Sequence, residues 1–186
     1  MITVAEYDPA WPGRFAALRD EYEAAMAAAG VPVVAIEHVG STSVPGLAAK
    51  PVIDCDIIVG EAHVDAASEV LVSLGFVPLG ELGIPQRWAF RAPERLSGTH
   101  TYVIVDGSLS LRNHLALREV LRSDASLREE YSTVKRAAGA RAADTDEYGR
   151  LKTDMVQRIL AAAGLTEAER ASIAGNQVPS HTELPR

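Results

Sequence analysis

The chain of 186 residues predicts a mixed α/β domain, with strands in its first half and helices behind them. Three observations carry this reading. β-Branched apolar runs are confined to the first 105 residues, while apolar spacings of three and four recur over the rest. A composition of 47% hydrophobic and 23% charged residues is that of a globular chain able to bury a full core. The length corresponds to about one domain. We place it over residues 1–165, followed by a polar extension over 166–186 that is expected to be partly flexible.

Each element follows from local pattern. Trp11 to Ala29 predicts a helix, with Phe15, Leu18, Tyr22 and Met26 on one stripe and Gly30 placed to end it. Val31 to Val39 and Pro51 to Val59 read as strands, separated by a loop of turn formers and hydroxyls. Val64 to Leu74 reads as a helix closed by Gly75, and Arg87 to Arg91 and Thr99 to Val105 as further strands. Three helices are expected next, over Leu109 to Arg122, Ser126 to Ala138 and Asp146 to Ala163. Asp144 and Thr145 suit the cap of the last, with Glu147 in its first turn. Thr166 to Ala174 can form one more short helix.

Composition excludes several function classes. A single cysteine, Cys55, rules out a disulfide framework within the chain and a cysteine-rich zinc site. No apolar run approaches the roughly 18 residues of a membrane span. The opening Met1 to Asp8 has neither the basic nor the apolar region of a signal peptide, so a soluble cytoplasmic protein without a membrane partner is expected. A formal charge of −7 argues against nucleic acid as the main partner. Only three of the 18 basic residues are lysine: Lys50, Lys135 and Lys152. Lysines retained against so strong an arginine bias are candidates for positions that need a compact ammonium.

Chemistry concentrates between Ile36 and Val59. Alternation along a strand puts Asp54 and Asp56 on one face, and Ile53, Cys55 and Ile57 on the other. Paired carboxylates in an apolar run repel one another and are costly to bury, and a divalent cation such as magnesium answers both problems. The preceding loop, Gly40-Ser41-Thr42-Ser43, offers close backbone approach and hydroxyl donors suited to phosphate oxygens. Together these parts point to a metal-bound nucleoside triphosphate. The competing reading is a hydroxyl-rich turn followed by solvated aspartates at a sheet edge.

This stretch resembles the GrpB family of the nucleotidyltransferase superfamily, whose hallmark is a Gly-Ser loop followed by an Asp-x-Asp strand. Gly40-Ser41 and Asp54-Cys55-Asp56 match it. Val4 to Trp11, Arg87 to Phe90, His100 to Val103, and Asn113 onward through Lys135 to Tyr148 and Lys152 are similar to other family landmarks. The resemblance implies a nucleotidyltransferase-type mixed sheet of four to five strands, flanked by helices, with a helical C-terminal half. It also implies transfer of a nucleoside monophosphate from a triphosphate to a small-molecule or protein acceptor, with Mg2+ or Mn2+ on Asp54 and Asp56. Many active relatives carry a third carboxylate on a later strand, where this chain has His100 and Tyr102. The rival reading is therefore a non-catalytic nucleotide- or phosphate-binding module, like the domain fused to dephospho-CoA kinase.

Outside the motif, His100 reads either as base or metal ligand or as a satisfied buried histidine. His38 reads as packing, and His63, His114 and His181 as surface or structural positions. Arg87, on a strand expected beside the aspartate strand, is a candidate phosphate clamp, with Lys135 and Lys152 on helices facing the cleft. Lys50 closes the loop before Asp54 and is a further candidate. The chain lacks a complete Walker A loop, a Gly-x-Ser-x-Gly elbow and a His-Glu-x-x-His helix.

Overall fold

A computed structural model describes residues 2–175, so the expectation for residues 176–186 falls outside the described part. Five strands, β1 (Ala35–Val39), β2 (Ile53–Val59), β3 (Val77–Gly80), β4 (Arg87–Arg91) and β5 (Thr99–Val105), form one sheet in the order β1-β2-β5-β4-β3. The β2–β5 pair is parallel and the other three are antiparallel. The aspartate strand β2 is thus internal, flanked by β1 and β5.

Alternation divides the sheet into two chemically distinct faces. Ile36, Ile53, Cys55, Ile57, Val103, Val105 and Phe90 form the larger core against α1 (Trp11–Ala28) and α2 (Val64–Ser73). The opposite face presents Asp54, Asp56 and Ile58 of β2, with His100, Tyr102 and Ile104 of β5 beside them. There Ile58 and Ile104 pack on Leu111 of α3 (Leu109–Ser123). Behind α3 lie α4 (Ala125–Arg141), α5 (Thr145–Arg150), α6 (Thr153–Ala162) and α7 (Glu167–Gly175). Val44 and Leu47, just past the Gly-Ser loop, pack with Leu121, Tyr131, Met155 and Ile159 and join loop to helices.

Capping sets the helix starts: Ser108, Asp124 and Asp144 accept from Leu111 N, Leu127 N and Glu147 N at 3.2, 2.9 and 2.8 Å. Thr166 and Glu169 form a reciprocal capping box on α7.

Three expectations are corrected. The helix expected over Asp146 to Ala163 is two, α5 and α6, broken at Leu151–Lys152. Gly149 weakens the helix there, and Lys152 N bonds back only three residues, to Gly149 O at 3.1 Å. The short strand β3 was not expected, because Pro78 and its exposed neighbours give no alternating pattern; proline is admissible there because β3 is the sheet edge. Finally, β4 does not adjoin β2. It pairs with β5, which itself pairs with β2 and so separates Arg87 from the aspartate strand.

Candidate functional site

The site begins where β1 ends. Gly40 turns the chain with φ 68°, and a Cβ on it would lie 2.2 Å from Asp54 Oδ2. Glycine is needed there both for the left-handed backbone and for the contact with the carboxylate. Ser41–Ser43 then make a single 3₁₀ turn. Ser43 Oγ donates to Gly40 O at 2.6 Å, and Thr42 Oγ1 donates to Val52 O at 3.0 Å. Arg122, from α3, donates twice to Ser43 O, at 2.8 and 3.1 Å. The hydroxyls of Thr42 and Ser43, expected on phosphate, therefore hold the loop in shape, while Ser41 and Thr42 line a cleft.

His38 stacks on Phe15 at 4.7 Å, and its Nε2 lies 3.0 Å from Thr42 Oγ1. Thr42 spends its only proton on Val52 O, so we assign the N–H to His38 Nε2. Burial, aided by the Arg122 and Arg118 cations and opposed by Asp54, pushes its pKa down to about 4. It packs as a neutral ring, as expected.

Each aspartate carries a histidine. Asp54 Oδ1 is 2.9 Å from His100 Nδ1, and Asp56 Oδ2 is 2.7 Å from His114 Nδ1. Burial raises the Asp54 pKa, but the His100 hydrogen bond and the imidazoles of His100, His114 and His38 outweigh it and hold the carboxyl below its ordinary value. Asp56 is fully buried, and its Oδ1 has no protein partner. Of the surface or structural role expected of it, His114 takes the structural one: it is largely buried and pairs with Asp56. The signal was its phase: it follows Leu111 by three residues, within the buried stripe of α3. Arg118, one turn further on, donates to Glu37 Oε2 at 2.6 Å and His38 O at 2.8 Å. Arg118 and Arg122 were also not singled out, because arginine is the common surface cation of this chain.

All three lysines meet in that cleft of about 120 Å³, together with Asp54, His100 and Tyr148. Lys135 is 2% exposed, its Nζ unpartnered and 5.2 Å from the Tyr131 ring centre. Burial, then repulsion from Lys152, depresses its pKa well below the usual lysine value. Lys152 Nζ lies 4.0 Å above the Tyr148 ring, carried there by the α5–α6 break. Burial and the Lys50 charge, opposed by Asp54, lower its pKa to about 8.

Arg87 does not reach this cleft. Its guanidinium lies 4.6 Å over the Tyr102 ring and lines a separate hollow of about 150 Å³, shared with Asn113 and His114.

Fold and motif can now be compared with known proteins. The GrpB protein family matches residues 1–162. The chain belongs to that family. A UPF0157 protein of Streptomyces coelicolor is 34% identical over 171 residues, covering 88% of this chain and 84% of its own. A dephospho-CoA kinase of Mycolicibacterium paratuberculosis is 29% identical over 172 residues, 78% of this chain but 42% of the kinase. The crystal structure of GrpB from Enterococcus faecalis superposes with a TM-score of 0.73 at 32% identity, covering 87% of this chain and 96% of that one. A Cid1 poly(U) polymerase structure matches at TM-score 0.58 and 14% identity over 81% of this chain and 50% of that one. That likeness shows that the sheet and helices have the nucleotidyltransferase-type fold. No helix among the described residues is long and apolar enough to cross a membrane.

The donor set bears on the expected cation. Among the described residues, no three His, Cys, Asp or Glu side chains gather closely enough to hold a metal by themselves. The unpartnered Asp56 Oδ1, beside a second carboxylate on the same strand face, is nevertheless a buried oxygen that calls for a positive partner. The residues fit an ion that takes one or two carboxylates and completes its shell with waters and phosphate oxygens, as magnesium does.

Proposed function

We propose that this GrpB-family chain binds the triphosphate of a nucleotide in the lysine cleft and transfers the nucleoside monophosphate to an acceptor. The observation that carries this is the convergence of Lys50, Lys135 and Lys152 on a cleft also lined by Asp54 and by Ser41 and Thr42 of the loop. In a chain of net charge −7, three lysines gathered on one cleft can supply local positive charge to a bound polyanion. In the transfer, an acceptor oxygen bonds to the α-phosphorus while the bond from that phosphorus to the pyrophosphate oxygen breaks. Pyrophosphate leaves with the bonding electrons, and the acceptor proton is released to solvent.

Asp54 and Asp56 are the residues that would hold magnesium or manganese, an ion that neutralises phosphate oxygens and stabilises charge developing in an in-line displacement. His100 fixes Asp54, and His114 fixes Asp56, so neither carboxylate is free to swing. The lysines bind and orient the phosphates, and Gly40 lets the loop close against Asp54.

A second reading, binding without turnover, is favoured by one feature: β5 places His100 and Tyr102, not a carboxylate, opposite Asp54 and Asp56. A dephospho-CoA kinase among the relatives is consistent with a module serving a larger enzyme.

One experiment separates the two. ATP with magnesium should raise the melting temperature more than either alone, and Asp54→Ala should lose that coupling while remaining folded. Release of pyrophosphate by the parent chain in the presence of candidate acceptors supports transfer, and coupled binding without release supports the second reading. Equal ATP binding by parent and Asp54→Ala would overturn both.

A further inference from the structure

We propose that the hollow beside Arg87 binds the second substrate, a small organic acid whose apolar body is about the size of a benzene ring. Its carboxylate or phosphate meets the Arg87 guanidinium. The acceptor role rests on the transfer reading above, whereas the binding itself does not.

The lining sets the chemistry. Ile84, Pro85, Leu109 and Ile173 supply apolar walls, and Arg87 and Asn113 supply the polar groups. A volume of about 150 Å³ matches cavities that accept benzene. The Arg87 side chain forms no hydrogen bond or ion pair among the described residues, and its Nε is buried without a partner. Elsewhere Arg95, Arg112, Arg118, Arg136 and Arg158 are each spent on a carboxylate. The cation–π contact with Tyr102, 4.6 Å from guanidinium carbon to ring centre, holds the guanidinium in place in advance. A fixed, unpaired guanidinium suits a planar or tetrahedral oxyanion, which its fork grips through two parallel bonds. Asn113 Oδ1, also buried and unpartnered, offers an acceptor to a hydroxyl or amine on the same ligand.

The rim is held under strain. Leu82 and Gln86 adopt φ of 53° and 63°, unusual for side-chain-bearing residues. Glu81 Oε1 accepts from Gln86 N at 2.6 Å and pins that conformation where Gln86 lines the hollow. Such strain persists where surrounding structure enforces it and clusters at ligand clamps. Placement gives the hollow its meaning: His114 lines it while holding Asp56 at 2.7 Å. An occupant therefore lies one side chain from the buried carboxylate, beyond the cleft assigned to the nucleotide.

The test uses the whole chain without nucleotide, followed by amide NMR. Sodium benzoate and phenyl phosphate should shift Gln86, Ser110 and Ile173 saturably, and neutral benzyl alcohol should bind at least about tenfold more weakly. Preference for benzoate assigns the hollow to carboxylates, and preference for phenyl phosphate assigns it to phosphates. Arg87→Leu should remove the advantage of the acids over the alcohol and leave ATP affinity unchanged. Ile173→Trp should block all three probes by filling the space. Shifts confined to Lys50, Lys135 and Lys152, or undiminished benzoate binding by Arg87→Leu, would overturn the assignment. Because no ATP is present, that failure would leave the nucleotide reading standing, and loss of ATP binding would leave this one standing.

Discussion

The lysine cleft and the arginine hollow share one wall of the sheet but hold different cations. The cleft is polar and holds all three lysines, two of them depressed in pKa, against Asp54 and His100. The hollow has apolar walls from Ile84, Pro85, Leu109 and Ile173 and holds one arginine over an aromatic ring, with His114 among its lining residues. Ammonium groups are compact point charges on flexible stems that can share the oxygens of a chain of phosphates, whereas a guanidinium is a rigid fork for one oxyanion. The Asp54–His100 pair borders the first region, and the Asp56–His114 pair reaches the second. The difference teaches that a chain of net negative charge can present two separate anion sites, provided the cations are chosen by shape as well as sign.

The most direct way to break this comparison is Gly40→Ala. The new methyl would meet Asp54 Oδ2 at 2.2 Å, in a backbone conformation (φ 68°, ψ −170°) that costs a side-chain-bearing residue about 1–3 kcal/mol. Losing one partner of a buried charge pair in a binding site costs about 2–5 kcal/mol, on the order of a hundredfold in affinity. Calorimetry should therefore show affinity for ATP with magnesium falling by about a hundredfold, while NMR shows benzoate still filling the hollow. Parallel loss of both ligands would mean that the two regions are not independent.

Lys152→Ala gives a smaller effect with a sign that pH makes visible. Loss of one charge-assisted phosphate contact should weaken ATP by roughly ten- to a hundredfold. Lys152 titrates near pH 8 in the folded chain, below its ordinary 10.5, so it is cationic below about 8 and neutral above. ATP affinity of the parent should fall as pH rises from 7 to 9, and Lys152→Ala should show a shallower fall. Stability moves the other way. Between about 8 and 10.5 the unfolded chain holds more protons on this lysine, so its contribution to stability rises with pH across that window. A guanidinium is a cation throughout this range, so benzoate binding should be flat over it. A flat ATP profile would remove Lys152 from the phosphate site.

Most of this architecture was legible in the residues, for reasons that also mark where reading stops. The Ile53-Asp54-Cys55-Asp56-Ile57 alternation in β2, the three-and-four spacing of α1 and the Asp144 cap before α5 are local signals, and the elements form where those signals lie. The edge strand β3 has no such signal: four residues with a proline acquire their partner only through β4. The order β2-β5-β4 depends on chain crossing, which no window of sequence encodes, and so Arg87 was expected one strand too close. Asp54, Asp56, Gly40 and Ser41 stand in one continuous motif. His114 pairs with Asp56 across 58 residues of sequence. It was visible only as a polar residue in phase with buried leucines.

The smallest expected effect tests whether the cleft is built for function at the expense of stability. Lys135 is buried, and among the described residues no group accepts a hydrogen bond from its Nζ. Holding an ammonium there, or stripping its proton, costs free energy that a methionine of similar length would not incur. Lys135→Met should therefore stabilise the chain by about 1 kcal/mol, raising Tm by roughly 2–4 °C for a domain of this size. The gain should be largest near neutral pH and shrink as pH approaches the ordinary lysine value of 10.5, where the unfolded side chain also becomes neutral. The same variant should bind ATP more weakly and benzoate unchanged. Thermal unfolding between pH 7 and 10, with ATP and benzoate titrations beside it, measures all of this. A lower Tm with ATP affinity intact would make Lys135 a packing residue and leave the cleft to Lys50 and Lys152.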